Sequence, residues 1–158
     1  SLIRVDADEV TYPLHVILRF EIERDLFSGK VSVEDLPSVW NTRMEEYLGV
    51  VPPSDKEGVL QDVHWSGGAF GYFPSYSLGA MMATQLYEQA KAEMPSLEDD
   101  IRKGEFAPLK KWLNDKVHDK GSMPGSADAL LESVTGKPLD PSIFMRYLTV
   151  KYTALYQL

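Results

Sequence analysis

Between Gly58 and Tyr76 the chain gathers one imidazole (His64), an indole (Trp65), two phenols (Tyr72 and Tyr76) and the glycines Gly67, Gly68 and Gly71. An imidazole can donate a hydrogen bond to a developing oxyanion, shuttle a proton or bind a metal. Tyr72 and Tyr76 are four residues apart, so a helix starting near Pro74 projects both phenols to one side. Two neutral phenol donors and an imidazole suit a tetrahedral oxyanion. The competing reading makes His64 and both tyrosines ordinary core residues, the commoner fate of each type. Gln61 and Asp62 beside His64 weigh towards a polar site. Gly67, Gly68 and Gly71 serve either a tight turn or the close approach of a substrate backbone. Their place between polar aromatics favours close approach.

Arg4 offers a planar fork suited to gripping a carboxylate through parallel hydrogen bonds. It equally suits an exposed ion pair with Asp6 or Asp8, and side-chain chemistry alone favours that pair. The chain's three histidines, His15, His64 and His118, have no ligand spacing, His-Glu-x-x-His is absent, and there is no cysteine. No metal site built from this chain's own residues is expected. The acidic run Glu98-Asp99-Asp100 reads as a solvated helix face.

A formal charge of -8, without clustered Lys and Arg, argues against nucleic acid, and no apolar run is long enough to span a bilayer. With 44% hydrophobic residues and no cysteine, a soluble chain from a reducing, cytoplasmic setting is expected. Ser1 opens on structured-looking sequence with no initiator Met, so the chain is expected to be part of a longer one.

The elements that must carry these residues are nearly all helical. Asp6 and Glu9 match a capping box, and Val10, Leu14, Ile17, Leu18 and Ile22 then recur at helical spacing. A long helix from about Ala7 to Phe27 is predicted, bent early by Pro13. A second starts at Ser32 or Asp35, runs through Trp40, Met44 and Tyr47, and stops at Gly49. The glycine-rich stretch is a loop leading into a helix from Tyr76 to about Glu93. Further helices are predicted at Ser96 to Lys103, Phe106 to Val117, Ser126 to Thr135 and Asp140 to Tyr156, the last with Pro141 in the favoured first position. The expected architecture is all-α, a single helical unit over residues 1–158.

Ile3-Arg4-Val5-Asp6-Ala7-Asp8 fits the pattern I/V-R-x-x-A-D, and Gly58 to Trp65 fits G-x-x-Q-D-x-H-W. In this order and context the chain resembles the carboxypeptidase Taq family of zinc metallocarboxypeptidases, over essentially its whole length. The resemblance implies the C-terminal third of a larger, helical, gluzincin-like peptidase with a deep substrate groove. The His-Glu-x-x-His helix and a further zinc-binding Glu would precede Ile3. It implies a homodimer that uses zinc, or another divalent metal, to remove single residues of broad specificity from peptides with a free C-terminus. By motif, Arg4 would hold the substrate's terminal carboxylate, with Asp8 supporting it. His64, Tyr72 and Tyr76 would stabilise the oxyanion, while Gln61 and Asp62 orient the loop or touch substrate beside Gly67 and Gly68. Alone, such a piece is expected to be inactive, and to associate with itself or with the preceding part of the protein.

The alternative from another class is a non-catalytic helical module for peptide binding or oligomerisation. In it the helix from Tyr76 and the Trp40 face are contact surfaces rather than core.

Overall fold

The structure is a computed structural model and describes residues 1–158. It is all-α, without a strand, and no helix is long and apolar enough to cross a membrane. Contacts divide the chain into two compact units, Ser1–Leu78 and Gly79–Leu158, where a single unit was expected. Each unit has its own buried apolar cluster.

The first unit holds a 3-10 turn at Arg4–Asp6, helix α1 (Tyr12–Phe27), helix α2 (Leu36–Leu48) and the loop that leads into α3 (Pro74–Glu93). The predicted capping box at Asp6 and Glu9 does not form. Asp8 instead ties the connection into a turn: its Oδ1 accepts the N–H groups of Val10 and Thr11, both at 2.9 Å, and its Oδ2 accepts the Thr11 hydroxyl at 2.8 Å. Asp is well suited to bonding its own following backbone in this way. The helix therefore starts late, and Pro13 falls in its first turn, where a missing N–H costs no internal hydrogen bond.

Leu18 and Ile22 of α1 pack on Trp40 and Met44 of α2, all four being nearly or wholly inaccessible. Trp40 is 1% exposed, which overturns the alternative that made it a contact surface. Gly49 closes α2 in the left-handed region (φ 68°), its N–H bonded to the Glu45 carbonyl. The buried side of α1 differs from the predicted apolar stripe: Val10, which precedes the helix, and Ile17 face outwards, whereas His15, Arg19 and Glu23 are buried. Their spacing of four places these polar groups in one row along the helix.

The second unit contains the rest of α3, then α4 (Leu97–Arg102), α5 (Ala107–Lys116), a 3-10 turn (His118–Lys120), α6 (Ala127–Thr135) and α7 (Pro141–Tyr156). Ala90, Leu97, Trp112 and Val134 form its core. Caps match the predicted starts of the last two helices: Ser126 Oγ accepts from Ala129 N at 3.0 Å, and Asp140 Oδ1 accepts from Ser142 N at 2.9 Å. Buried Gln85 joins α3 to the α6–α7 connection, donating to the Pro138 carbonyl at 3.0 Å and accepting from Asp140 N at 2.9 Å.

Candidate functional site

Asp62 is the centre of a polar cluster inside the first unit. Its Oδ1 accepts from Arg4 Nε at 3.1 Å and Nη2 at 2.8 Å, and its Oδ2 accepts from Arg19 Nε at 2.6 Å. Desolvation pushes the Asp62 carboxyl up, but the hydrogen bonds and charges of Arg4 and Arg19 outweigh it and hold it below the usual carboxylate value. All three groups are ionised at neutral pH.

The expectation that Arg4 forms an exposed ion pair with Asp6 or Asp8 is overturned, because Arg4 is only 6% exposed and its carboxylate partner is Asp62. Asp8 makes no bond to Arg4; its contribution is to shape the turn between Arg4 and α1. Arg4 Nη1 donates to the Tyr12 hydroxyl at 2.8 Å, and its backbone N–H donates to Gln61 Oε1 at 2.9 Å. The guanidinium lies over the Tyr76 ring, 5.0 Å from the centroid. Of its five N–H donors, the two bonds to Asp62 and the one to Tyr12 leave two for a further acceptor.

His64 stands against the same ring. Its Nε2 lies 3.0 Å from the Tyr76 hydroxyl, and its Nδ1 is buried, 3.9 Å from Asp62 Oδ1, with no hydrogen-bond partner. Tyr72 stacks on the imidazole at 5.8 Å and meets Tyr76 edge-on at 5.4 Å. Arg4, Gln61, Asp62, His64, Tyr72 and Tyr76 are thus one constellation, assembled from the 3-10 turn, the loop and the first turn of α3. Tyr76 is its bridge, presenting a ring face to Arg4 and a hydroxyl to His64.

The glycines are explained by the turn itself. Gly68 and Gly71 have φ of 76° and 73°, a region costly for other residues, and a side chain at Gly67 would meet the Val63 carbonyl at 3.3 Å. Gly71 N–H is held by Glu23 Oε2 at 2.9 Å, while Glu23 Oε1 accepts from Trp65 Nε1 at 2.6 Å. One carboxylate of α1 therefore pins both ends of the glycine segment.

The sequence reading missed Tyr12, His15, Arg19 and Glu23. Arg19 is wholly buried: beyond Asp62, its Nη1 donates to the His15 carbonyl at 2.7 Å, its Nη2 to Gln61 Oε1 at 2.9 Å, and its plane covers Trp40 at 4.6 Å. Burial outweighs its bond to Asp62 and brings its pKa down to about 10, still protonated at neutral pH. His15 Nε2 sits 3.0 Å from the Ser1 carbonyl, which can only accept, so the ring proton lies on Nε2. Burial, helped by the Arg19 charge, pushes His15 down to about 4 and keeps it neutral. The signal for all three buried groups was their spacing of four on a helix otherwise expected to bury an apolar face.

No group of three His, Asp or Glu side chains stands in a metal-binding arrangement. The residues present do not fit a complete metal site.

The family model described as Carboxypeptidase Taq (M32) metallopeptidase matches residues 1–152. Carboxypeptidase 1 of Bacillus subtilis is 51% identical over 158 residues, which is 100% of this chain and 31% of that protein. Thermostable carboxypeptidase 1 of Thermus thermophilus is 48% identical over 99% of this chain and 30% of its own length. The crystal structure of an M32 carboxypeptidase from Deinococcus radiodurans superposes with a TM-score of 0.96 at 43% identity, covering 100% of this chain and 32% of that one. The chain thus spans about a third of the length of these relatives, in keeping with a portion of a larger helical peptidase. With a family model matched over nearly its whole length and a fold that agrees, the chain belongs to the carboxypeptidase Taq family of metallopeptidases.

Proposed function

We propose that this chain supplies the C-terminal-carboxylate recognition and oxyanion stabilisation of a metallocarboxypeptidase that removes single residues, with broad specificity, from the C-termini of peptides. Arg4 binds the terminal carboxylate through the two N–H groups that Asp62 and Tyr12 leave over. His64, Tyr76 and Tyr72 form the donor set for the carbonyl of the last peptide bond, with the contact between His64 Nε2 and the Tyr76 hydroxyl set before the reaction rather than recruited during it. Gln61 and Asp62 orient Arg4, and Gly67 and Gly68 shape the loop. In this reading the whole protein uses zinc, held by residues outside this chain, and is a cytoplasmic homodimer. This chain alone does not hydrolyse peptides.

The observation that carries the reading is the shared contact on Tyr76: a cation suited to the carboxylate and an imidazole–phenol pair suited to the adjacent carbonyl meet at one ring. The test is made in the whole enzyme that contains this chain. Arg4→Ala is expected to abolish the preference for a free C-terminus over a C-terminal amide, and His64→Ala and Tyr76→Phe each to lower kcat by about a hundredfold, the size of losing one oxyanion donor. Unchanged preference in Arg4→Ala refutes the carboxylate assignment, and unchanged kcat in the other two refutes the oxyanion assignment.

A further inference from the structure

The carboxylate of Asp62 is shared by two guanidiniums, and no second acid is ion-paired with either. Arg4 takes Oδ1, while Arg19 takes Oδ2 at 2.6 Å. The two buried acids of α1 are engaged elsewhere, Glu23 with Trp65 and Gly71 and Asp25 with Arg43. His15, facing Arg19 from one turn earlier, is neutral. The cluster therefore carries one uncompensated positive charge in a buried setting, an arrangement that costs desolvation energy and that a neutral donor in place of Arg19 would avoid. Arg19 is wholly buried with all three nitrogens engaged, so it does not touch a ligand. It reaches Arg4 by two routes, through Asp62 to the guanidinium and through Gln61 Oε1 to the backbone N–H.

We propose that Arg19 is a positioning residue for anion recognition: by occupying the second oxygen of Asp62 it withholds part of that carboxylate's charge from Arg4 and keeps Arg4 aimed and electrostatically open to a ligand carboxylate. This rests on the reading that Arg4 binds a terminal carboxylate, and it adds that the affinity depends on a charge the ligand never meets. With Arg19 the trio has a net charge of one, which an incoming carboxylate neutralises. Without it Arg4 and Asp62 form a closed, neutral pair.

The test titrates the chain with N-acetylalanine and with its amide, following the Arg4 Nε–H signal by NMR, in the native protein and in Arg19→Lys, Arg19→Gln and the double variant Arg19→Gln with Asp62→Asn. The native chain is expected to prefer the acid. Arg19→Lys, which keeps the charge, is expected to keep that preference within about fivefold. Arg19→Gln is expected to lose about tenfold to a hundredfold of the affinity for the acid, the size of a charge interaction across several ångströms at protein dielectric, with the amide unaffected. Adding Asp62→Asn restores the net charge and should recover part of the preference. Equal loss for acid and amide in Arg19→Gln, or a double variant weaker towards the acid than Arg19→Gln, overturns the proposal. If Arg19→Gln does not melt cooperatively, Arg19→Lys decides: a folded Lys variant that has lost its preference overturns the charge role. A native chain with no preference for the acid instead refutes the assignment of Arg4, and this inference falls with it.

Discussion

At the scale of single residues, the buried groups of the first unit make its stability depend on pH in two separate windows. His15 is 0% exposed and its folded-state pKa lies near 4, against 6.5 for the free group. Between those values the unfolded chain binds a proton that the folded chain refuses, so stability rises with pH across that window and is lost on descending through it. The full difference corresponds to about 3 kcal/mol. Urea unfolding at pH 6.5 and at pH 4.5 should show this loss in the native chain and little of it in His15→Asn; equal slopes in the two proteins would contradict it. Asp62 acts lower. Its folded-state value is depressed beneath 3.8, so its contribution is present above that value and disappears only as pH falls through the folded-state pKa. Both groups face Arg19, which makes one buried cation the partner whose surroundings must hold their charge states.

At the scale of elements, α1 does more than bury an apolar face. Its row His15, Arg19 and Glu23 reaches successively to the N-terminal segment, to the Gln61-Asp62 pair and to the glycine loop. The loop owes its course to this helix as much as to its own glycines. Glu23→Ala removes the acceptor for both Trp65 Nε1 and Gly71 N–H, and the two stranded donors should cost about 2 to 4 kcal/mol. The loss is expected to show as a lower urea midpoint together with faster hydrogen exchange at the Gly71 amide. A variant with the native midpoint and unchanged Gly71 exchange would mean that the loop is held by other contacts. The T-shaped contact of Trp65 with Trp40, centroids 6.0 Å apart, links the same loop to α2 and gives those contacts a named origin.

At the scale of the whole molecule, the chain matches about a third of each relative and holds no cluster suited to a metal. His15 is sealed inside, and His64 Nε2 faces the Tyr76 hydroxyl, so these two histidines of the first unit are engaged within the protein. Elemental analysis of the purified chain is expected to find no stoichiometric zinc. Tight one-to-one zinc would require a site that these contacts do not allow for. Each compact unit carries its own core, and the site residues from Arg4 to Tyr76 all lie within the first.

Helical periodicity, the stop at Gly49, the caps at Ser126 and Asp140 and the density of polar aromatics from His64 to Tyr76 were legible in the residues because each depends on neighbours within a few positions. The motifs at Ile3 and Gly58 were legible for the same reason, and they carried the family. What the residues alone misjudged was long-range. Asp6 and Glu9 satisfied the local rule for a capping box, yet Asp8 bonded the backbone first and delayed the helix to Tyr12. Nearby acids made Arg4 look like a surface ion pair, whereas its partner stands 58 positions away. Arg19 and Glu23 were not singled out at all, because their burial comes from the loop packed over them. Which charges are buried, and which acid a guanidinium pairs with, follows from the solvent that tertiary packing removes; that quantity is a property of the assembled helices and loop, not of any window of sequence.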